Sequence, residues 1–123
     1  MIHDIRHFSD LTVWQKSYTL SLDIYQLTDT FPVKETYGIT SQMRRASASI
    51  MANIAEGFSR YHFKDKIRFY YQARGSLSEV ESFLYLARGL QMIDQNCFEI
   101  NKEQCENIHR LLNGLIRATD SQT

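Results

Sequence analysis

The sequence predicts an all-α protein, a single antiparallel up-down-up-down four-helix bundle over residues 1–123. Three observations carry this. Apolar residues recur at steps of three and four in four separate stretches, the spacing that lines one face of a helix. The links between those stretches are short, which makes consecutive helices antiparallel neighbours. No stretch alternates apolar and polar residues at period two, so no strand is expected. The chain holds one domain's worth of core, and 43% apolar content with seven Tyr and seven Phe is enough to fold it.

The first helix is expected over about residues 10–30, capped by Ser9 or Asp10, after a lead-in in which His3 and His7 are solvated. It carries two stripes, Leu11, Trp14, Tyr18, Leu22 and Tyr25 beside Val13, Leu20, Ile24 and Leu27. That apolar arc is wider than one bundle core needs, and surplus apolar area marks an interface. Trp14, Tyr18 and Tyr25 are therefore expected at a contact between copies of the chain. Phe31-Pro32 ends the helix, because the residue before a proline is pushed out of the helical region.

The second helix, about 41–58 with Thr40 as its cap, organises the chain. Ile39, Met43, Ala46, Ile50 and Ile54 form its core stripe. A polar line of Gln42, Arg45, Ser49, Asn53, Glu56 and Arg60 runs alongside, and small residues fill most other positions. A surface helix ordinarily scatters long charged side chains outward, so both faces of this one are expected to be covered. The third helix, about 64–90, carries a seam of Phe69, Ala73, Ser76, Val80, Phe83, Ala87 and Leu90, flanked by Arg74, Glu81 and Arg88 at every seventh residue. Gly75 in its middle is expected to serve close packing or a bend. The fourth helix, about 95–117, starts at an Asp94 cap and lines up Phe98, Cys105, Ile108, Leu112 and Leu115. An alternative start at Asn101, with Gln104 three residues on, breaks that stripe.

The run Gln42 to Gly57, with Arg45, Ser49-Ile50 and Asn53-Ile54-Ala55-Glu56-Gly57, resembles the signature of the four-helix-bundle proteins related to the 23S ribosomal RNA intervening-sequence protein. Leu11–Lys16, Phe31-Pro32 with Glu35–Gly38, Ala73–Leu77 with Glu79, and Leu112–Ile116 match in order. The resemblance implies a bacterial protein whose helical bundle assembles as a ring-shaped homopentamer, without enzymatic activity or cofactor. It also implies partners: ribosomal RNA, or, as in a relative that accompanies a reverse transcriptase in diversity-generating retroelements, nucleic acid together with protein. Met51 stands where the family carries proline, so the second helix keeps a hydrogen bond there and is expected to run straight.

The residues set out the chemistry that is available. Antiparallel register brings Arg45 level with Glu81 and Glu56 level with Arg74. Arg45, Ser49, Asn53, Glu56, Arg74, Ser76 and Glu81 are thus expected to form a buried polar network that fixes register or a subunit contact. A catalytic pair of Glu56 and Glu81 is the competing reading, disfavoured because each acid has a basic partner to keep it ionised. A di-iron site needs two Glu-x-x-His motifs, and only Glu106-Asn107-Ile108-His109 occurs, read as a coincidence on an exposed face. Gly57, Gly75 and Gly89 are isolated and form no phosphate loop. Cys97 and Cys105 lie eight apart on one helix, too far to bridge, as expected of free thiols in a reducing cytoplasm. No metal or cofactor is expected, no run is apolar enough to span a bilayer, and the polar opening MIHDIRHFSD is no signal peptide.

Formal net charge is zero, yet between Arg44 and Arg74 seven Lys or Arg face two acids. Arg60, Tyr61, His62, Lys64, Lys66 and Arg68 cluster at the turn between the second and third helices, with Phe63 and Tyr70 interleaved. Cations hold phosphates and rings stack on unpaired bases. With Arg44, these residues form the candidate nucleic-acid interface. A protein scaffold that docks a partner such as a polymerase, without touching nucleic acid, is the alternative.

Overall fold

The computed structural model describes residues 4–123, so His3 lies outside the described residues, while His7 is exposed and bonds Ser9. Four helices follow a short 3-10 turn at Phe8–Asp10: α1 (Thr12–Thr28), α2 (Ser41–Ser59), α3 (Phe63–Gly89) and α4 (Gln95–Asp120). A further 3-10 turn at Val33–Glu35 and a π-type turn at Thr36–Thr40 join α1 to α2. Each helix packs on the next and α1 also meets α4, which closes the bundle around one core. Antiparallel register is visible in the cross-contacts. Ser21 meets Ser47, and Arg44 reaches the α1 end at Thr28. Ser49 meets Ser76, and Gln104 meets Asp23.

The core stripe expected of α2 is buried in full: Ile39, Met43, Ala46, Ile50 and Ile54. On α1 the second stripe supplies Val13, Leu20 and Ile24, with Leu27 packed at its edge. On α3 the expected seam is half right. Ala73, Val80 and Ala87 are buried, but their companions are Tyr70, Leu77 and Leu84, while Leu90 is exposed and Phe69, Ser76 and Phe83 sit at the margin. The α3 core therefore faces one residue further round than the aromatic spacing indicated. In α4, Phe98, Cys105, Ile108, Leu112 and Ile116 form the core line, with Leu115 packed against it.

The helix ends show what local chemistry decides. Asp94 caps α4, its carboxylate accepting the Cys97 N–H at 2.8 Å, and Asn101 lies buried inside the helix. Neither Ser9 nor Asp10 caps α1. Leu11 occupies that position without a side-chain bond, because the Asp10 carboxylate is taken by the N–H groups of Arg6 and His7. Thr40 likewise makes no cap bond, since the π-type turn already delivers the chain in helical conformation. At the end of α3, Gln91 stands at φ 61°, Met92 donates to Ala87 and Gln91 to Arg88, a Schellman closure with glutamine where glycine is usual. Gln91→Gly is expected to raise stability by roughly 1 kcal/mol, because a side chain in the left-handed region costs about 1–2 kcal/mol. A denaturant melt that left the midpoint unmoved or lowered it would contradict this.

Gly75 meets nothing within 4 Å of a built Cβ and faces outward on an unbroken α3, so it serves neither packing nor a bend. Gly57 is the close-approach glycine. A Cβ there would stand 2.7 Å from the Tyr70 ring and 3.1 Å from the Lys66 carbonyl. Burial pushes the Tyr70 hydroxyl from 10.0 up to about 12. The Cys105 thiol goes from 9.0 to about 12, through burial first and then Glu81 and Glu106. Both groups are protonated in the fold at values above their unfolded ones. Their contribution is complete below about pH 9 and is lost as pH climbs from 9 to 12. The denaturation midpoint is expected to hold to about pH 9 and fall above it, with a shallower fall in Tyr70→Phe. A flat profile to pH 12 would contradict the assignment.

Candidate nucleic-acid interface

Three residues, Arg60, Tyr61 and His62, turn the chain from α2 into α3, with Arg60 and His62 extended. Tyr61 is 89% exposed and lies edge-on to the His62 ring at 5.0 Å. The Arg60 guanidinium sits 4.7 Å over the Phe69 ring and 3.6 Å from Glu56. Arg68 approaches the same ring at 5.5 Å and Asp65 at 3.8 Å. Phe69, absent from the sequence-based set, is thus the platform that gathers two guanidiniums. Lys64 is exposed in the first turn of α3, a helix that opens without a side-chain cap. Unbonded amides and the helix dipole favour an anion at such an end. Asp65 in the same turn offsets part of that field.

Two members of the expected set do other work. Lys66 donates from Nζ to the carbonyls of Phe58 at 2.6 Å and Gly57 at 3.4 Å, closing the C-terminus of α2, and burial lowers its pKa. Arg44 sits at the opposite end of α2, about 24 Å along the helix from Arg60. It bonds Thr28, Tyr25 and Asp29, the last at 2.8 Å, and its guanidinium stacks on Tyr25 at 4.9 Å. Cations near helix C-termini satisfy carbonyls that have no partner further along. Arg60, Tyr61, His62, Lys64 and Arg68 remain grouped on one end of the bundle.

The expected polar network separates into two lines. Ser76 and Asn53 each donate to the Ser49 hydroxyl at 3.0 Å. Arg45, however, pairs with Glu79 at 2.8 Å, not with Glu81, and the two side chains are 60% and 36% exposed. Glu56 pairs with Arg60 just past the end of its own helix, not with Arg74, and is 52% exposed, so neither ion pair is buried as expected. The reason is rotational. Glu79 shares a line with Ser76 facing α2, whereas Glu81 is two residues on, about 200° further round. Arg74, Glu81 and Arg88 instead line the α4 side, where they meet Asn113 at 3.0 Å, His109 at 2.5 Å and Gln95 at 3.0 Å. His109 is accordingly half-buried rather than on an open face. This ladder of α3 charges on α4 partners was absent from the sequence-based set. Its seven-residue repeat was visible, but the partners were not.

Among the described residues, no group of three or more His, Cys, Asp or Glu is placed to hold a metal ion, and no helix is long and apolar enough to cross a membrane. The expected contact residues form a real surface. Tyr18, Leu22 and Tyr25 are 43%, 49% and 45% exposed, and Trp14 stacks on Tyr18 at 5.3 Å. The buried Trp14 Nε1 has no hydrogen-bond partner among the described residues. The outer face of α2 beside them carries Ala48, Met51, Ala52 and Ala55, bordered by Arg44 and Arg45 at one end and Glu56 at the other.

The family model of the 23S rRNA-intervening sequence protein matches residues 9–114. Among solved structures, the chain is similar to a protein of unknown function from the S23 ribosomal protein family of Bacteroides thetaiotaomicron. The two share 25% identity with a TM-score of 0.75, over 85% of this chain and 98% of that one. No curated protein matches the chain.

Proposed function

The chain belongs to the 23S rRNA-intervening sequence protein family, and from that premise we propose that it is a non-enzymatic, homo-oligomeric helical scaffold that binds nucleic acid, structured RNA in particular, through the α2–α3 turn. The observation that carries this reading is the grouping of Arg60, Arg68 and Lys64 around Phe69 and the uncapped start of α3, with Tyr61 turned outward. Phosphates meet the cations and an unpaired base stacks on the tyrosine. The scaffold works in the cytoplasm as a ring, a homopentamer by the family resemblance. It assembles through Trp14, Tyr18, Leu22 and Tyr25 of one copy against the small outer face of α2 in the next. A ring repeats the turn on one rim, and repeated weak contacts gain affinity through effective concentration.

Filter binding of purified protein to structured RNA across a salt series tests the reading. Affinity is expected to fall steeply with salt, by about 0.7–0.9 in logarithmic slope for each phosphate held. Failure to bind at low salt would end it. The assembly has its own check. Tyr18→Glu with Tyr25→Glu is expected to yield a monomer in sedimentation with an unchanged helical spectrum, because two rings leave the contact and Trp14 and Leu22 lose their cover, at about 1.5–3 kcal/mol for each buried side chain. An assembly of unaltered size would contradict it.

A second reading, a scaffold that docks a partner protein such as a polymerase without touching nucleic acid, is favoured by Tyr85, Leu86 and Leu90, exposed together near the α3–α4 turn. A pull-down that captures a protein from RNA-free extract, with no binding in the salt series, is its signature.

A further inference from the structure

A line of side chains on α3 leads away from the α2–α3 turn. Phe63, Ile67, Tyr71 and Arg74 follow one another at steps of four, four and three, which keeps them on the face of α3 turned toward α4. Phe63 is 41% and Tyr71 48% exposed, and the two rings start about 12 Å apart along the helix. At the Phe63 end, His62, Phe63, Lys64 and Asp65 line a depression of about 400 Å³ bounded by Thr123 beyond α4, so the turn leads directly into the α3–α4 seam. Further along the seam, the Arg74 guanidinium lies 4.9 Å over the Tyr71 ring and donates to the Asn113 side-chain oxygen at 3.0 Å. Arg117, one turn of α4 beyond Asn113, is exposed. Among the described residues neither guanidinium has a carboxylate within ion-pair distance. The acids nearby have other partners, Glu81 in His109 and Asp65 in Arg68. Arg74, oriented by a ring and a neutral amide, therefore keeps its full charge for an anion, whereas Arg60 and Arg68 are partly offset by Glu56 and Asp65. The seam also lies across the bundle from the α1–α2 edge assigned to the contact between copies, so assembly leaves it open.

We infer that the RNA held at the α2–α3 turn is an unpaired strand, and that it continues from Tyr61 across the depression to a second subsite made by Tyr71, Arg74 and Arg117. This holds only if the turn is the interface, and it names the class of RNA taken there. Phosphates meet Arg74 and Arg117, while bases lie on Phe63 and on the exposed side of Tyr71. A duplex keeps its base faces stacked inside, so exposed rings give it nothing and only the phosphate contacts remain.

Fluorescence anisotropy of full-length protein with labelled oligouridine, and with the same strand annealed to oligoadenosine, tests this. The single strand is expected to bind about tenfold tighter than the duplex, or more. Tyr71→Leu, which keeps apolar bulk without a π face, should weaken binding of the strand about tenfold, and Tyr71→Phe should leave it unchanged. Duplex binding should be the same in all three proteins. Arg117→Gln should take about 0.7 from the salt slope of the strand. Both positions are exposed, so the melting temperature is expected to hold. Equal affinity for strand and duplex, or a Tyr71→Leu variant that binds the strand as wild type does, would overturn the inference and leave the turn in place. Wild-type protein that binds neither probe at low salt would end the turn as an interface, and this extension with it.

Discussion

Reversing three charges at once, in Arg60→Glu, Lys64→Glu and Arg68→Glu, is expected to abolish RNA binding while leaving the fold and its melting temperature nearly intact. All three side chains are exposed, and their ion pairs to Glu56 and Asp65 are long and solvated. Surface pairs of that kind contribute at most about 1 kcal/mol, so losing them costs little stability. The effect on binding is multiplied. Each lost phosphate contact removes about 0.7–0.9 from the salt slope, and the loss of affinity at low salt should be on the order of a hundredfold or more. Lys66 is left out deliberately. Its ammonium closes α2, so Lys66→Glu would lower stability and confuse the readout. Retention of most of the binding by the triple variant would remove the α2–α3 turn from the account.

Gly57→Leu is expected to be the most damaging single substitution in the hairpin. Even a bare Cβ would lie 2.7 Å from the Tyr70 ring, and Tyr70 is itself 2% exposed with no room to retreat. The Lys66 carbonyl at 3.1 Å blocks the other direction. Overpacking of this kind costs about 1–3 kcal/mol, occasionally more. Gly57→Ala should show a smaller loss than Gly57→Leu, and pairing Gly57→Ala with Tyr70→Leu should recover part of it. A thermal melt in which Gly57→Leu matched wild type would show that α2 and α3 do not pack here as described.

How much of this was legible in the sequence depends on the kind of interaction. The Asp94 cap and the α2 stripe follow from rules that span one or two turns of a single helix, and they stand as read. The wide apolar arc of α1 was equally legible, with one stripe in the core and the other exposed as Tyr18, Leu22 and Tyr25. The α3 seam went astray where Phe69 and Phe83 looked like core while Tyr70 carried the burial. Ala73, Val80 and Ala87 fit both readings, so spacing alone did not decide between them. The polar pairs failed for a related reason. Register sums fix the height at which Arg45 meets α3, but not which way α3 is turned, and that turn selects Glu79 over Glu81. Lys66 and Arg44 looked like free cations because the carbonyls they satisfy belong to helix ends that only the fold brings within reach.

Everything functional in the account rests on α2 and the aromatic edge of α1 being covered by further copies of the chain. Sedimentation velocity of the purified wild-type protein at micromolar concentration tests this most directly. A single species of two or more copies of the 14.4 kDa chain is predicted, and a homogeneous 14.4 kDa monomer would contradict it.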